Sequence, residues 1–112
     1  MPRHVLMLDL KDDPELIDRY RDWHAPGRVP APIVQSIRDA GILDLDIHLC
    51  GNRLVMIMEV GDDFSPAAKA AADAANPDVQ AWEALMWTFQ QALPWAKPGQ
   101  KWVPADQIFT IP

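Results

Sequence analysis

The stretch LDLDIHLCGNRLVMIMEV, residues 43–60, carries the pattern of a β-hairpin in the middle of a 112-residue chain. Over residues 43–49, apolar and polar side chains alternate strictly, as in a strand with one dry face and one polar face. Residues 53–60 are more uniformly apolar, and Gly51-Asn52 between the two halves suits a tight turn because both residues tolerate positive φ. The stretch therefore predicts two paired strands, and the segments on either side of it decide the fold.

A strand and two helices are predicted ahead of this hairpin. Residues 4–10 (HVLMLDL) are short, apolar and followed by polar residues, which is typical of a buried strand. Asp13 is a good N-cap and Pro14 suits the first helical position, and apolar residues continue at helical spacing to about residue 24. Residues 32–40 form a second helical pattern that stops at a glycine.

The segment after the hairpin repeats this arrangement. A capping serine followed by proline predicts an alanine-rich helix over residues 67–75. A longer helix is predicted over residues 79–93 and a last strand over residues 107–111 (QIFTI). The order β, α, β, β, α, β predicts a ferredoxin-like α+β sandwich, and the length predicts that residues 1–112 form a single domain.

A four-stranded antiparallel sheet with its helices on one face leaves the second face uncovered. A chain of this size cannot hide that face alone. We therefore expect two copies to pack sheet against sheet as a homodimer, with a cavity enclosed between sheets and helices. Cavities of this kind suit small molecules.

Composition argues against several partners. The formal net charge is −6 and the basic residues are scattered, so we expect no nucleic acid partner. The apolar stretch near the N-terminus is too short and too interrupted for a signal peptide or a membrane span, so we expect no membrane association. The single cysteine, Cys50, cannot form an internal disulfide, which fits a cytoplasmic location.

Tyr20 and His24 lie four residues apart at the predicted end of the first helix, so that their side chains share one face. An imidazole titrates near neutral pH and can both give and take a proton, and a phenol one turn away can hold a substrate oxygen. The pair fits proton transfer to a small polar ligand. Packing of Tyr20 and a favourable contact of His24 with the helix dipole explain the same spacing, and spacing alone favours that structural interpretation.

Other chemistry finds little support in the sequence. His4, His24 and His48 lie on separate elements without metal-ligand spacing, so we expect no metal. A Gly-rich phosphate loop, a GxSxG elbow and a Cys–His nucleophile pair are all missing, and we expect no cofactor. Trp82 and Trp87 lie among apolar residues on the predicted last helix, where an aromatic stripe is usually core, but such rings also bind the C–H faces of sugars.

Several stretches, in order along the chain, resemble the L-rhamnose mutarotase family. They are an N-terminal strand ending in LDLKDD, then YRDWHAPG with its Tyr-x-x-x-His spacing, IRDAGILDLDIHL, NRLVMIMEV, a tryptophan-bearing helix after NPDV, and the closing QIFTI. The resemblance covers nearly the whole chain, and its specificity comes from the ordered set of motifs. It implies a dimeric ferredoxin-like α/β barrel that interconverts the α and β anomers of a deoxy sugar without cofactor or metal.

The resemblance also implies roles for individual residues. His24 corresponds to the acid/base histidine, Tyr20 to a sugar-contacting tyrosine, and Trp82 to one member of a tryptophan pair on the last helix. The chain departs from the pattern after Trp82, because Glu83 stands where an adjacent tryptophan is expected and Trp87 comes five residues later. These departures concern contacts with the sugar and leave the reaction unchanged.

The expected substrate is a 6-deoxy-L-hexose, with L-rhamnose first on family resemblance and L-fucose close behind on the substitutions. Leu45 stands in place of a second sugar-contacting tyrosine of the family. The tryptophan-bearing helix can supply a dry wall for the C5 methyl group, and Glu83, Asp46 and His48 are candidate partners for ring hydroxyls. Mutarotation needs one proton delivered to the ring oxygen and one removed from the C1 hydroxyl, for which a neutral-pH shuttle and a phenol suffice.

Two other classes of function remain compatible with the same fold. A cofactor-independent monooxygenase acting on an aromatic would use a cavity with aromatic walls and a histidine. A small-ligand-binding or regulatory module would need no chemistry at all. The polar Asp44, Asp46 and His48, together with the Tyr20–His24 pair, favour a hydroxyl-rich ligand over an aromatic one.

Overall fold

The structure is a computed structural model that describes residues 2–112. Within that range, nine elements follow one another: β1 (Arg3–Leu10), α1 (Pro14–Trp23), α2 (Ala31–Asp39), β2 (Ile42–Cys50), β3 (Arg53–Val60), α3 (Pro66–Ala74), α4 (Pro77–Trp87), β4 (Gln90–Gln91) and β5 (Val103–Pro104). The predicted strand and two helices before the hairpin, and the two helices after it, are confirmed. Two short strands, β4 and β5, follow α4.

One antiparallel sheet joins these strands in the order β2-β3-β1-β4, and β5 also pairs with β1. This is the strand order of a ferredoxin-like fold. The predicted hairpin is confirmed, with Cys50 paired to Arg53 across a turn in which Gly51 adopts a φ of +61°. β1 is the central strand, because β3 occupies one of its edges while β4 and β5 share the other.

Alternation along the strands gives the sheet two different faces. The first faces the helices, and its largest fully buried side chains are Leu8, Leu10, Leu54 and Val60. The second, opposite the helices, carries four half-buried apolar residues of β1 and β3, here called the open-face strip: Val5, Met7, Val55 and Ile57. The site described below lies on the helix side of the sheet.

Three of the four helices begin at a side-chain cap followed by proline. Asp13 accepts hydrogen bonds from two amides of the first turn of α1, and Ser65 caps α3, both as predicted. Asn76 caps α4 in the same way, so this helix begins at Pro77 and not at residue 79. No helix between residues 2 and 112 is long and apolar enough to cross a membrane.

The prediction for the end of the last helix was wrong. α4 ends at Trp87 and not at residue 93, and the chain then turns back to the sheet. There the Lys11 amide donates to the Phe89 carbonyl at 2.9 Å, and β4 pairs with the last two residues of β1. A helix continuing to residue 93 would leave this part of the β1 edge unpaired.

The prediction of a strand over residues 107–111 was also wrong within this chain. The last strand is β5, which lies inside the segment predicted to be a loop, and the Ala105 amide then donates to the Val5 carbonyl at 2.8 Å. Residues 106–112, here called the C-terminal arm, have no assigned secondary structure. The arm carries three exposed apolar side chains, those of Ile108, Phe109 and Ile111, with exposed fractions of 95%, 72% and 79%.

Replacing Leu8 by alanine should lower the free energy of unfolding by about 2–5 kcal/mol, because this fully buried side chain of the central strand would leave a cavity. Urea denaturation followed by tryptophan fluorescence measures the change. Leu43→Ala is the matched control, since Leu43 is 51% exposed beside the bulge of β2 and its truncation should change stability by only about 0.5 kcal/mol. Equal losses for the two variants would contradict the placement of Leu8 in the core.

Candidate functional site

A cavity of about 770 Å³ lies between the helices and the sheet. Its walls include residues from all four helices, from β2 and β3, and from the segment that precedes β5. Six of the lining side chains combine polar and aromatic groups with an apolar wall: Tyr20, His24, Leu45, Trp82, Glu83 and Gln90. The volume falls in the range of pockets that hold small molecules.

Tyr20 lies in the last turn of α1 and is 4% exposed. The Gln90 amide nitrogen donates to its hydroxyl oxygen at 3.3 Å, and the Phe89 ring meets the phenol edge-on at 6.2 Å between ring centres. Burial raises the pKa of Tyr20 above its ordinary value of 10.0, while the bond from Gln90 acts in the opposite direction. The phenol therefore stays protonated at neutral pH and can donate a hydrogen bond.

His24 is the residue that ends α1, and its Nδ1 atom lies 2.7 Å from the carbonyl oxygen of Tyr20. A carbonyl oxygen only accepts, so Nδ1 must donate, and this fixes the proton of the neutral imidazole on Nδ1. The lone pair of Nε2 is then the one that can take a proton. Burial lowers the pKa of His24 from its ordinary value of 6.5, although the bond to Tyr20 opposes the shift. The imidazole is therefore neutral at pH 7.

Aromatic rings surround this imidazole on two sides. Its ring centre lies 4.3 Å from that of Tyr20, with the two planes tilted by 33°. Trp82 of α4 meets it edge-on at 5.7 Å, and Trp23 in turn packs against Trp82 at 5.9 Å. The contacts hold His24 between α1 and α4 and exclude water from part of its surface, which is the origin of the lowered pKa.

Six of the residues singled out in the sequence line this one cavity, among them Asp44 of β2. Tyr20 and His24 come from the end of α1, and Trp82 and Glu83 come from the middle of α4. Leu45, half-buried on β2, lies on the helix side of the sheet. The structure thus brings together residues that are more than 60 positions apart in the chain, as Tyr20 and Glu83 are.

Three other candidates are not brought to the cavity. Asp46 and His48 alternate with the inward residues of β2, so they are exposed on the other face of the sheet, beside the open-face strip. Trp87 is 38% exposed on α4, where the Lys101 ammonium lies 5.1 Å from the centre of its ring. Within one chain, these side chains do not meet the Tyr20–His24 pair.

Sequence analysis missed Gln90 as a site residue. The residue was placed inside a long helix, where a glutamine is ordinary, and its burial follows only from its position on β4. The one sign in the sequence that Gln90 could be buried was its position between the apolar residues Phe89 and Leu93. Lys101 and Trp102, which also line the cavity, lie in a segment that the sequence predicts only as a loop.

The cavity offers a base, a donor and an apolar wall. Nε2 of His24 can accept a proton, the Tyr20 hydroxyl can donate a hydrogen bond, and Trp82 with Leu45 supplies apolar surface. Among residues 2–112, no group of three His, Cys, Asp or Glu side chains is placed to hold a metal ion. Such an arrangement suits proton exchange on a small hydroxylated molecule.

The chain is similar to proteins of one family. The family model described as L-rhamnose mutarotase matches residues 3–111. An L-fucose mutarotase of Xanthomonas campestris pv. campestris is 53% identical, over 99% of this chain and 89% of that protein. A UPF0734 protein of Dictyostelium discoideum is 31% identical, over 93% of this chain and 85% of that protein.

The same family appears among solved structures. The crystal structure of an L-rhamnose mutarotase from Formosa agariphila has a TM-score of 0.71 with this chain, at 18% identity and over 100% of both chains. That likeness supports the fold, and the family model together with the 53% identical relative carries the assignment. The resemblance found in the sequence is thereby confirmed, and the chain belongs to the L-rhamnose mutarotase family of isomerases.

Proposed function

We propose that this chain interconverts the α and β anomers of a 6-deoxy-L-hexose, with L-fucose as the first candidate, by reversible opening of the pyranose ring. One observation carries the proposal. His24 keeps its proton on Nδ1, against the Tyr20 carbonyl, and so offers Nε2 as a base in a cavity that also holds a buried phenol. A neutral histidine of this kind can take a proton at physiological pH and return it.

The reaction needs only proton transfers. His24 takes the proton of the C1 hydroxyl on Nε2, the C1–O5 bond breaks, and Nε2 returns that proton to O5, which leaves the open-chain aldehyde and a neutral imidazole. Rotation about the C1–C2 bond turns the other face of the aldehyde toward O5, and the reverse transfers close the ring. Protons balance in each direction, and no electrons are exchanged. Tyr20 binds a sugar oxygen as a hydrogen-bond donor, because its phenol stays protonated.

The walls of the cavity support a sugar that ends in a methyl group. Trp82 and Leu45 present apolar surface, and a methyl group gains free energy when it leaves water for such a surface. Glu83 follows Trp82 on the same helix and also lines the cavity. Its carboxylate can accept hydrogen bonds from ring hydroxyls, which fixes the orientation of the ring.

Between the two 6-deoxy sugars, support is greater for L-fucose. A relative that shares 53% of aligned residues is named L-fucose mutarotase, whereas L-rhamnose enters through the description of the wider family. L-Rhamnose and L-fucose differ in the configuration of ring hydroxyls, so one altered contact is enough to change the preference. Leu45 and Glu83, where the chain departs from the family pattern, are the positions at which we place that contact.

Saturation-transfer NMR of anomer exchange tests the proposal directly. We expect the protein to accelerate exchange of L-fucose most, L-rhamnose less, and D-glucose hardly at all, because the C6 hydroxyl of glucose would lose its water against an apolar wall. Equal acceleration of D-glucose and the deoxy sugars would contradict the methyl-binding wall. Binding of these sugars without acceleration would favour the ligand-binding module, and turnover of an aromatic in their place would favour the monooxygenase.

His24→Ala should lower the rate of anomer exchange by about two to four orders of magnitude, the usual span for a positioned acid/base group. His48→Ala is the matched control, because His48 lies on the other face of the sheet and should leave the rate nearly unchanged. Both variants are checked for folding by circular dichroism. A folded His24→Ala protein that keeps more than half of the rate would show that His24 only ends the helix.

The role of His24 as a neutral base predicts how kcat/KM depends on pH. Since the catalytic form is the neutral imidazole and burial lowers the pKa of His24, kcat/KM should fall toward acid pH with a midpoint below 6.5. Stability should follow the same sign. The unfolded chain binds more protons than the folded one below pH 6.5, so this contribution to stability is present above that pH and is lost as pH falls. An acidic limb centred above 6.5 would contradict the buried, neutral histidine.

The proposal includes a homodimer. The open-face strip and the C-terminal arm both present apolar side chains that a second copy can cover. Sheet-to-sheet packing would bury the strip at the centre of the interface. The arm, with Ile108 and Phe109 exposed, would then lie against the partner.

Ile57→Glu should convert the dimer to a monomer, because it places a charge at the centre of the open-face strip. Sedimentation velocity at micromolar concentration measures the state. Ala72→Glu, on the exposed side of α3, is the matched control and should leave the dimer intact. An unaltered protein that sediments as a monomer would contradict the proposed homodimer. If Ile57→Glu remains a dimer, the interface does not include the open-face strip. Removal of residues 106–112 tests the arm in the same way.

A cytoplasmic location belongs to the same proposal. Cys50 is the single cysteine of the chain, and it is exposed at the end of β2. A reducing compartment keeps such a thiol free, whereas an oxidising one would link copies of the chain through it.

A further inference from the structure

We infer that Gln90 is a positioning residue, which holds the Tyr20 hydroxyl so that it donates its hydrogen bond to the sugar. The inference rests on the proposed function and assigns a direction to one contact of that site. Gln90 is 6% exposed on β4 and lines the cavity, and the mechanism above makes no use of it. A buried amide is costly unless it is hydrogen-bonded, so its partner is informative.

The direction of the bond follows from the atoms involved. Nε2 of Gln90 is an amide nitrogen and can only donate, and it lies 3.3 Å from the Tyr20 hydroxyl oxygen. The phenol oxygen therefore accepts from Gln90, and the phenol proton must point elsewhere. A sugar oxygen in the cavity is the partner left for that proton. The ring oxygen of a pyranose has lone pairs and no proton, so a donor at Tyr20 suits it.

The fold holds both partners of this bond in place. The Gln90 backbone pairs with Leu10 at the fully buried end of the central strand, which fixes the position from which the Gln90 side chain extends. Tyr20 is held by α1 and by the edge of the Phe89 ring. The Tyr20 carbonyl accepts from His24, so the backbone of this residue orients the base while its side chain is oriented by Gln90.

The next residue of the same strand provides a matched control. Gln91 carries the same side chain on β4, pairs with Asp9 and is exposed. It is not a lining residue of the cavity, unlike Gln90. Methionine has nearly the shape of glutamine and no amide, so Gln90→Met and Gln91→Met remove the same groups from an inward and an outward position.

Tyrosine labelled with ¹³C at Cζ gives a direct measure of the bond, because the chain contains a single tyrosine. We expect the one labelled resonance to shift in Gln90→Met and to stay in place in Gln91→Met. KM for L-fucose should rise about fivefold in Gln90→Met, in line with one neutral hydrogen bond, and kcat should change less than about twofold. Gln91→Met should leave both constants unchanged.

Gln90→Glu separates orientation from packing. A carboxylate of the same size accepts a hydrogen bond from the phenol. The phenol O–H then points to the introduced carboxylate and no longer donates to the sugar. KM should therefore rise more in Gln90→Glu than in Gln90→Met, by about tenfold or more. If Gln90 only filled space, Gln90→Glu, which keeps the size and polarity of the side chain, would raise KM less than Gln90→Met does.

The result that would overturn the inference is an unchanged tyrosine resonance and an unchanged KM in Gln90→Met. The unaltered protein gives a second test that does not depend on the folding of variants. Saturating L-fucose should move its tyrosine resonance, and turnover of the sugar without such a shift would also overturn the inference. A protein that turns over no sugar contradicts the proposed function instead, while the resonance of Gln90→Met still reports on the Gln90–Tyr20 bond.

Discussion

Both edges of the central strand β1 need hydrogen-bond partners, and this requirement shapes the structure around it. The hairpin supplies β3 for one edge. The other edge is filled by two fragments of two residues each, β4 and β5, and the chain must leave α4 at Trp87 to provide the first of them. The short strand β4 then brings Gln90 beneath the end of α1, where Tyr20 lies. A backbone requirement of the sheet thus determines which polar side chain meets the phenol.

Features that depend on neighbours in sequence could be predicted from the sequence. The alternation around Leu45 and Leu49, the glycine turn and the caps at Asp13 and Ser65 are local, and each is where its residues indicate. The Tyr20–His24 pair belongs to this group, because one helical turn brings both side chains to the same face. The family resemblance predicts a catalytic role for the pair, whereas spacing alone favours a structural one.

Features that depend on distant partners could not be predicted in this way. Nothing local distinguishes Gln90 in a helix from Gln90 in a strand, since the edge of β1 decides between them. The apolar residues of the C-terminal arm have strand-forming character but no strand beside them in the same chain. Asp46 and His48 were correctly placed on the polar face of β2, and the pairing of β2 with β3 turns this face away from the cavity of the same chain.

The bond between His24 and the carbonyl of Tyr20 has a consequence for how the site tolerates change over evolution. In many enzymes the partner that orients a histidine is an aspartate side chain, which a single substitution removes. Here that partner is a peptide oxygen, which every amino acid possesses. Substitution at position 20 can delete the phenol yet cannot delete the acceptor, so long as the last turn of α1 keeps its shape. The proton position on the imidazole is thus set by helix geometry, and substitutions of other residues around the cavity can accumulate without disturbing it.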